Sequence, residues 1–425
     1  MKKNTCNLLV IISLLFLFSC SDSLKEEFTD PVQSGIEKNY VDIKEAVSIA
    51  NLIEFTEPAP NNASNRSISV APGTMIYKQI KNAITVPDDV GNGAYHIINY
   101  ENGGFIIIAG DKRANPILAF SYTDLFPTDL KEYPNGLVEW LANTESYIRK
   151  IRANGKSRSV ENNTVPAEAW MPCAIQRLVA EESTSSIDKS KSLISNDCGG
   201  GCPNSTFSKG PLLQTTWGQG VGYNDALQNL SCERYNNQRP PTGCVATAMA
   251  QIMRYYSFPA GYNWSAMLNN RGSAETARLM RDIGDVVDMK YACDGSWTDT
   301  EKAVVPAFKN SFGYSSAQYS DYNQNTVKSQ LNGNRPVILK GGRKSKWWIF
   351  AVYKDGHAWV CDGYRSTINY SSDCSNSWTS LFLRMNWGWG SYLDGWFAFD
   401  NWNPHNEDFS GDFNYKRGMV YNIKP

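Results

Sequence analysis

A cysteine and a histidine carry the chemistry most easily read from this chain of 425 residues. Cys244 follows Pro240-Pro241-Thr242-Gly243 and opens a run to Tyr256. In that run Val245, Met249, Ile252, Met253 and Tyr256 form one helical stripe, which Pro259 ends. The prolines and Gly243 predict Cys244 at or beside a helix N-terminus. Unpaired amides and the helix dipole favour a thiolate there, and the thiolate is the attacking form of cysteine. Such a nucleophile needs a base within hydrogen-bond reach. Only His96, His357 and His405 exist to supply one. His96 lies inside a predicted strand of the N-terminal part, and His405 follows Pro404 in a polar loop. His357 opens the apolar run His357-Ala358-Trp359-Val360 after Gly356, which reads as a strand with room for close approach. Taken singly, each residue also has a plain structural reading: a cysteine packing a helix start, a histidine in a core.

The elements that must position these groups divide the chain into parts. Lys2 and Lys3 precede the apolar run Leu8 to Phe18, the layout of a secretory signal peptide over residues 1–19. Leu17-Phe18-Ser19-Cys20 resembles a bacterial lipoprotein cleavage box, with Cys20 as the lipidated first residue. The acidic stretch after it resembles the surface-export tag of Bacteroidota lipoproteins. Residues 20–45 then read as a polar tether. Residues 46–153 read as a small α+β unit. Tyr95 to Tyr100 and Phe105 to Ala109 are strand-rich and split by Glu101-Asn102-Gly103-Gly104, a hairpin signal. Leu137, Trp140, Leu141, Tyr147, Ile148 and Ile151 share one helical face. Residues 154–205 are polar, basic or glycine-rich and read as an exposed linker open to proteolysis. Residues 206–425 form one aromatic-rich domain.

Composition limits the possible functions. Acidic and basic residues nearly cancel, 42 against 41, so no net field favours nucleic acid. No segment after the signal reaches the roughly 18 apolar residues of a membrane helix, so membrane contact is expected only through the lipid anchor. The chain has ten cysteines. Setting aside Cys6, Cys20 and Cys244 leaves seven, an odd number that cannot pair completely. Cys198 and Cys202 flank glycines without the partners a zinc site needs. No metal and no cofactor are expected.

Four blocks, in order, resemble the streptopain family of papain-like cysteine peptidases. Trp217-Gly218-Gln219 is similar to the stretch that supplies an oxyanion-hole glutamine. Thr242-Gly243-Cys244 through Met253 is similar to the active-site helix. Gly356-His357-Ala358 matches the histidine context, and Asn386-Trp387-Gly388-Trp389-Gly390 a downstream segment. Gly103 to Asp111 and Pro116-Ile117-Leu118 resemble the family's inhibitory propeptide. One departure is Ser391, where the family usually has glycine.

The resemblance implies an α+β fold: a papain-like catalytic domain, with a helical part carrying Cys244 and an antiparallel sheet part carrying His357, after a small α+β propeptide domain. It implies an exported endopeptidase zymogen acting on protein or peptide substrates, anchored in the bacterial envelope or released after processing. An apolar pocket would take the residue two before the cut. Cys244 would attack, and His357 would pair with it as imidazolium and protonate the leaving amine. Gln219 and the Cys244 amide would hold the oxyanion. Asn386 would orient the imidazole, and Trp387 would cover that contact. Two rivals stay open: a Cys–His acyltransferase, and an inactive surface binding protein on a peptidase fold. The first would orient His357 with an aspartate, but strand alternation points Asp362 to the opposite face.

Overall fold

A computed structural model of the chain describes residues 38–56, 75–88, 90–128, 135–154, 166–180, 205–347, 350–371, 373–390, 392–398 and 415–425. The expected signal peptide, Cys20, most of the tether, Cys198, Cys202, Ser391 and His405 lie outside these residues. Asp42 caps α1 (Ile43–Asn51), its carboxylate accepting the Glu45 amide at 2.8 Å. β1 (Glu54–Thr56) then pairs with β2 (Met75–Tyr77). An antiparallel meander follows: β3 (Ile80–Pro87), β4 (Gly93–Tyr100), β5 (Phe105–Ala109) and β6 (Ile117–Ser121). The expected hairpin is β4–β5. It turns through Gly103 and Gly104 at φ 92° and 98°, where a side chain would be strained.

The helical stripe expected after residue 136 forms α2 (Asn135–Asn154). Its Leu137, Trp140 and Ile148 are buried in one core with Trp359, Leu383, Trp387 and Phe397 of the C-terminal part. The segment 154–205 departs from the linker expected of it. Within it, α3 (Pro172–Val179) buries Ala174, Ile175, Leu178 and Val179. Ile175, Leu178 and Val179 join a core with Ile106, Ile108 and Phe120. Polar flanks hid a short apolar face, which the surrounding strands desolvate.

The C-terminal part opens with β7 (Ser205–Lys209). The helices α4 (Cys244–Tyr256), α5 (Ala274–Val286) and α6 (Thr300–Pro306) follow, then β8 (Ser316–Asp321) and α7 (Gln324–Asn332). The long strands β9 (Val337–Trp347), β10 (Phe350–Tyr370) and β11 (Ser377–Asn386) come next, then β12 (Gly395–Ala398) and β13 (Tyr415–Lys424). Among the described residues one antiparallel sheet runs β3-β4-β5-β6-β12-β11-β10-β9-β13-β8, with β7 added on β10. The N-terminal meander is therefore not a separate layer. It continues the C-terminal sheet where Ala119 and Phe120 pair with Phe397 and Trp396. Phe120 stacks on Trp396 at 6.2 Å and meets Phe382 edge-on at 5.4 Å. Residues 39–425 form one compact unit accordingly.

Cys232 is bonded to Cys293, and Cys173 and Cys374 are also in disulfides. Among the described residues Cys244 and Cys361 are free. No described helix is long and apolar enough to cross a membrane.

Trp140 ties the two parts together most directly. Its ring meets Phe397 edge-on at 5.0 Å, and its indole N–H donates to the Ala398 carbonyl at 2.9 Å. Trp140→Ala should remove about 3–5 kcal/mol from the folded precursor. Urea unfolding checks this, and an unchanged midpoint would show that α2 docking does not rest on that ring.

Candidate active site

Gly243 sets the geometry around the sulfur. It adopts φ 88°, and a Cβ there would stand 2.8 Å from the Met289 sulfur and 3.1 Å from the Ser296 carbonyl. Only glycine fits this turn without displacing its neighbours. Cys244 begins α4, as the sequence predicts. The helix is buried almost all round rather than on one stripe, because α5 and β10 both pack on it. The Cys244 sulfur accepts the Ala358 amide at 3.4 Å. The amides of Val245 and Cys244 itself also bear on it from the helix start.

Strand alternation on β10 decides where the imidazole lies. Ala358 and Val360 pack in the core with α4, whereas Trp359 and Cys361 pack in the core with α2. His357 shares the register of Trp359, and its ring lies parallel to that indole at 6.0 Å. The imidazole Nε2 faces the Trp387 carbonyl at 3.2 Å. Sulfur and imidazole thus belong to neighbouring residues of one junction but are held by separate backbone groups. Burial pushes the Cys244 thiol up, against the pull of the three amides. Burial likewise lowers His357 to about 4, against the pull of the Trp387 carbonyl. Desolvation in this arrangement opposes charge on both groups, and the amides and the Trp387 carbonyl act against it.

Gln219 is brought to the same place from the other side. Its carbonyl accepts the Thr242 amide at 3.0 Å, two residues before Cys244. The loop carrying it is fixed by buried Trp217, whose indole donates to the Leu268 carbonyl at 2.7 Å. The Trp217 carbonyl accepts the Gly390 amide at 3.2 Å.

The role expected of Asn386 is corrected. Its amide nitrogen donates to the Thr215 carbonyl at 2.7 Å and to Gln251 at 3.1 Å. Its oxygen accepts from Gln251 at 2.9 Å and from the Gly388 amide at 3.2 Å. The acceptor that faces His357 is the main chain of Trp387. The Trp387 ring is buried against Trp359 and Phe397, at 5.1 and 5.2 Å.

Sequence reasoning missed two positions. Gln251 is fully buried, joins Asn386, and accepts the Trp217 amide at 3.3 Å. Its signal was a lone amide seven residues after Cys244, on the same face of a largely apolar helix. Asp394 holds the Trp387 amide at 2.9 Å, and nothing in its local sequence marks it. His96 lies away from this junction, between Thr85 at 3.0 Å and the Val41 carbonyl at 2.8 Å. Asp362 binds Arg384 and the Leu213 amide rather than His357. Among the described residues no cluster of metal-ligating side chains occurs.

Comparison with known proteins places the chain among cysteine peptidases. The Peptidase C10 family model matches residues 217–261 and 260–397, and the Spi protease inhibitor model matches residues 38–148. Streptopain of Streptococcus pyogenes is 27% identical over 414 residues, covering 85% of this chain and 88% of its own. A thiol protease/hemagglutinin of Porphyromonas gingivalis is 26% identical over 345 residues, 72% of this chain and 33% of that one. The solved prointerpain A fragment of Prevotella intermedia shares the fold, with a TM-score of 0.53 at 22% identity. It covers 82% of this chain and 99% of that one. The chain is a cysteine peptidase of mixed α+β fold. Within that class it is a streptopain-like precursor, its peptidase part preceded by an inhibitor-type propeptide.

The half-buried thiol gives a direct test. Alkylation of Cys244 by iodoacetamide in the intact precursor should titrate above the ordinary thiol value of about 8.5. A rate already at its plateau by neutral pH would mean that the thiolate is preformed.

Proposed function

We propose that the chain is the zymogen of a cysteine endopeptidase that cuts proteins through Cys244 and His357. The observation that carries this reading is the Cys244 sulfur at a helix start, 3.4 Å from the amide that adjoins His357. In the working enzyme, the Cys244 proton passes to the imidazole and the thiolate attacks the peptide carbonyl carbon. The oxyanion is received by the Cys244 amide and the Gln219 side chain. His357 then gives its proton to the leaving amine, and the peptide bond breaks to an acyl-enzyme. Water attacks next, with His357 taking its proton. The thiol leaves and the carboxylic acid is released.

The precursor is restrained by the N-terminal unit. With α2 packed on the sheet core and β6 zipped to β12, the imidazole stays buried beside Trp359. Releasing the propeptide admits water and lets the imidazole turn toward the sulfur, which restores the ion pair. A cut between α3 and β7 would achieve this, since α3 is buried with the propeptide strands. We also propose export, with lipid attachment at Cys20. Metabolic labelling with a fatty acid, lost in Cys20→Ala, tests that part alone.

Purified precursor incubated with trypsin under reducing conditions should gain casein-hydrolysing activity, and N-terminal sequencing should place the large fragment's start between α3 and β7. Gln219→Ala should lower kcat by about 10²- to 10³-fold. Cys244→Ala should be inactive after the same treatment, and casein hydrolysis surviving in that variant would refute the proposal.

A further inference from the structure

Behind the site lies a group of four charged side chains that peptide hydrolysis, as described, does not use; Asp362 and Asp394 are fully buried and Arg384 and Asp124 partly so. Arg384 on β11 is its centre. Its Nη1 lies 3.0 and 3.1 Å from the two oxygens of Asp362 on β10, and Asp362 also accepts the Leu213 amide at 2.9 Å. Asp394, just before β12, is fully buried. One of its oxygens accepts the Trp387 amide at 2.9 Å, and the other has no hydrogen-bond partner. Asp124, just after β6, belongs to the propeptide. Its amide and its carboxylate both meet the Ser121 hydroxyl, at 3.1 and 3.3 Å. Ser121 in turn lies against Gly395, where an added Cβ would be 3.4 Å from the Ser121 Cβ. The strand rungs Arg384–Trp396 and Trp396–Phe120 bring these elements side by side. Arg384 pairs directly with Asp362, and the strand pairing sets the elements carrying Asp394 of the peptidase part and Asp124 of the propeptide alongside it.

Trp387 connects this group to the site. Its amide is held by Asp394, and its carbonyl faces the imidazole of His357 at 3.2 Å. We propose that Asp394 is a positioning residue for His357, acting through the Trp387 main chain, and that Asp124 of the propeptide governs how firmly it holds. This rests on the reading of Cys244 and His357 as the reacting pair.

Charge explains the control. A carboxylate accepts an N–H more strongly than a neutral acid does. A neighbouring carboxylate disfavours the ionisation of a buried carboxyl. Burial, and then the charge of Asp124, push Asp394 well above the usual range against the pull of Arg384. Asp124 is pushed up to about 6, again chiefly by burial. While the propeptide is docked, the Asp124–Asp394 pair keeps a proton. When Asp124 leaves, its like charge is removed, so Asp394 ionises more readily beside Arg384 and grips the Trp387 amide more tightly. The site firms as the inhibitor departs.

The same group makes docking depend on pH. Both carboxyls titrate higher when docked than the free value of about 3.9, so the docked state binds the extra proton. The Asp124 contribution is full in acid and is lost as pH rises through about 6. Arg384 from β11 and Asp362 from β10 are the charged groups facing the pair. His357, lowered to about 4, acts with the opposite sign over part of this window. It is common to every variant below and cancels in the comparison.

The test uses full-length precursor, processed with trypsin and assayed on a peptide substrate across pH. Asp394→Ala should lower kcat by about tenfold or more with KM nearly unchanged, and should move the imidazole limb of the pH profile downward. Asp394→Asn keeps an acceptor for the Trp387 amide and should recover most of kcat, with that limb restored. Wild-type behaviour in Asp394→Ala, a change in KM alone, or an unmoved limb would overturn the positioning role. The propeptide half is read in unprocessed Cys244→Ala precursor by hydrogen exchange at the β6–β12 pairing. Protection should fall further between pH 5.5 and 7.5 than it does when Asp124→Asn is added, values chosen to span the raised carboxyl range of about 6. Equal slopes would overturn it. Casein hydrolysis by processed Cys244→Ala would instead break the Cys244–His357 reading, a separate failure.

Discussion

Gln251 and Asn386 exchange two hydrogen bonds in a fully buried place, and the halves of the peptidase part are joined there. Gln251 belongs to the helix that starts at Cys244, and Asn386 ends the strand that leads to Trp387. The same amides take in Thr215 and Trp217, which lead to Gln219. Three separate stretches of chain thus meet on two side chains. In such a dry place an unpaired amide is costly, so each partner fixes the other's position. Neither side chain is hydrogen-bonded to the sulfur or the imidazole, yet the exchange joins the helix that starts at Cys244 to the strand end that leads to Trp387.

The second constraint is the alternation of β10. Consecutive residues face different cores, so Ala358 lies with the Cys244 helix while Trp359 lies with the propeptide helix. One strand therefore feels both partners. The propeptide helix packs on the Trp359 side, and the buried imidazole lies parallel to that ring. Burial there disfavours charge on the imidazole.

Much of this was legible in the chain. The helix start at Cys244 followed from prolines, a glycine and a periodic stripe, and the β4–β5 hairpin from paired glycines between apolar runs. These are local signals, set by a few neighbouring residues. What stayed hidden depended on tertiary partners. Asn386 read as the imidazole's orienting group, but only the fold reveals that Gln251 and Thr215 satisfy it while Trp387 presents its carbonyl. α3 read as linker because its apolar face is short and its flanks polar; its burial comes from strands far away in sequence. The sharing of one sheet by both parts was equally unreadable, since edge pairing between Phe120 and Trp396 leaves no periodic trace.

That shared sheet has a consequence for the enzyme after processing. β12 is only Gly395–Ala398, and β6 is its neighbour on the propeptide side. Once β6 is gone, the strand is left with open N–H and C=O groups beside the aromatic surface of Phe382 and Trp396. Any extended chain can add to such an edge. A freed propeptide could rebind there as a product, and a second enzyme molecule could stick to it. The mature protein would thus begin its working life adhesive along one rim.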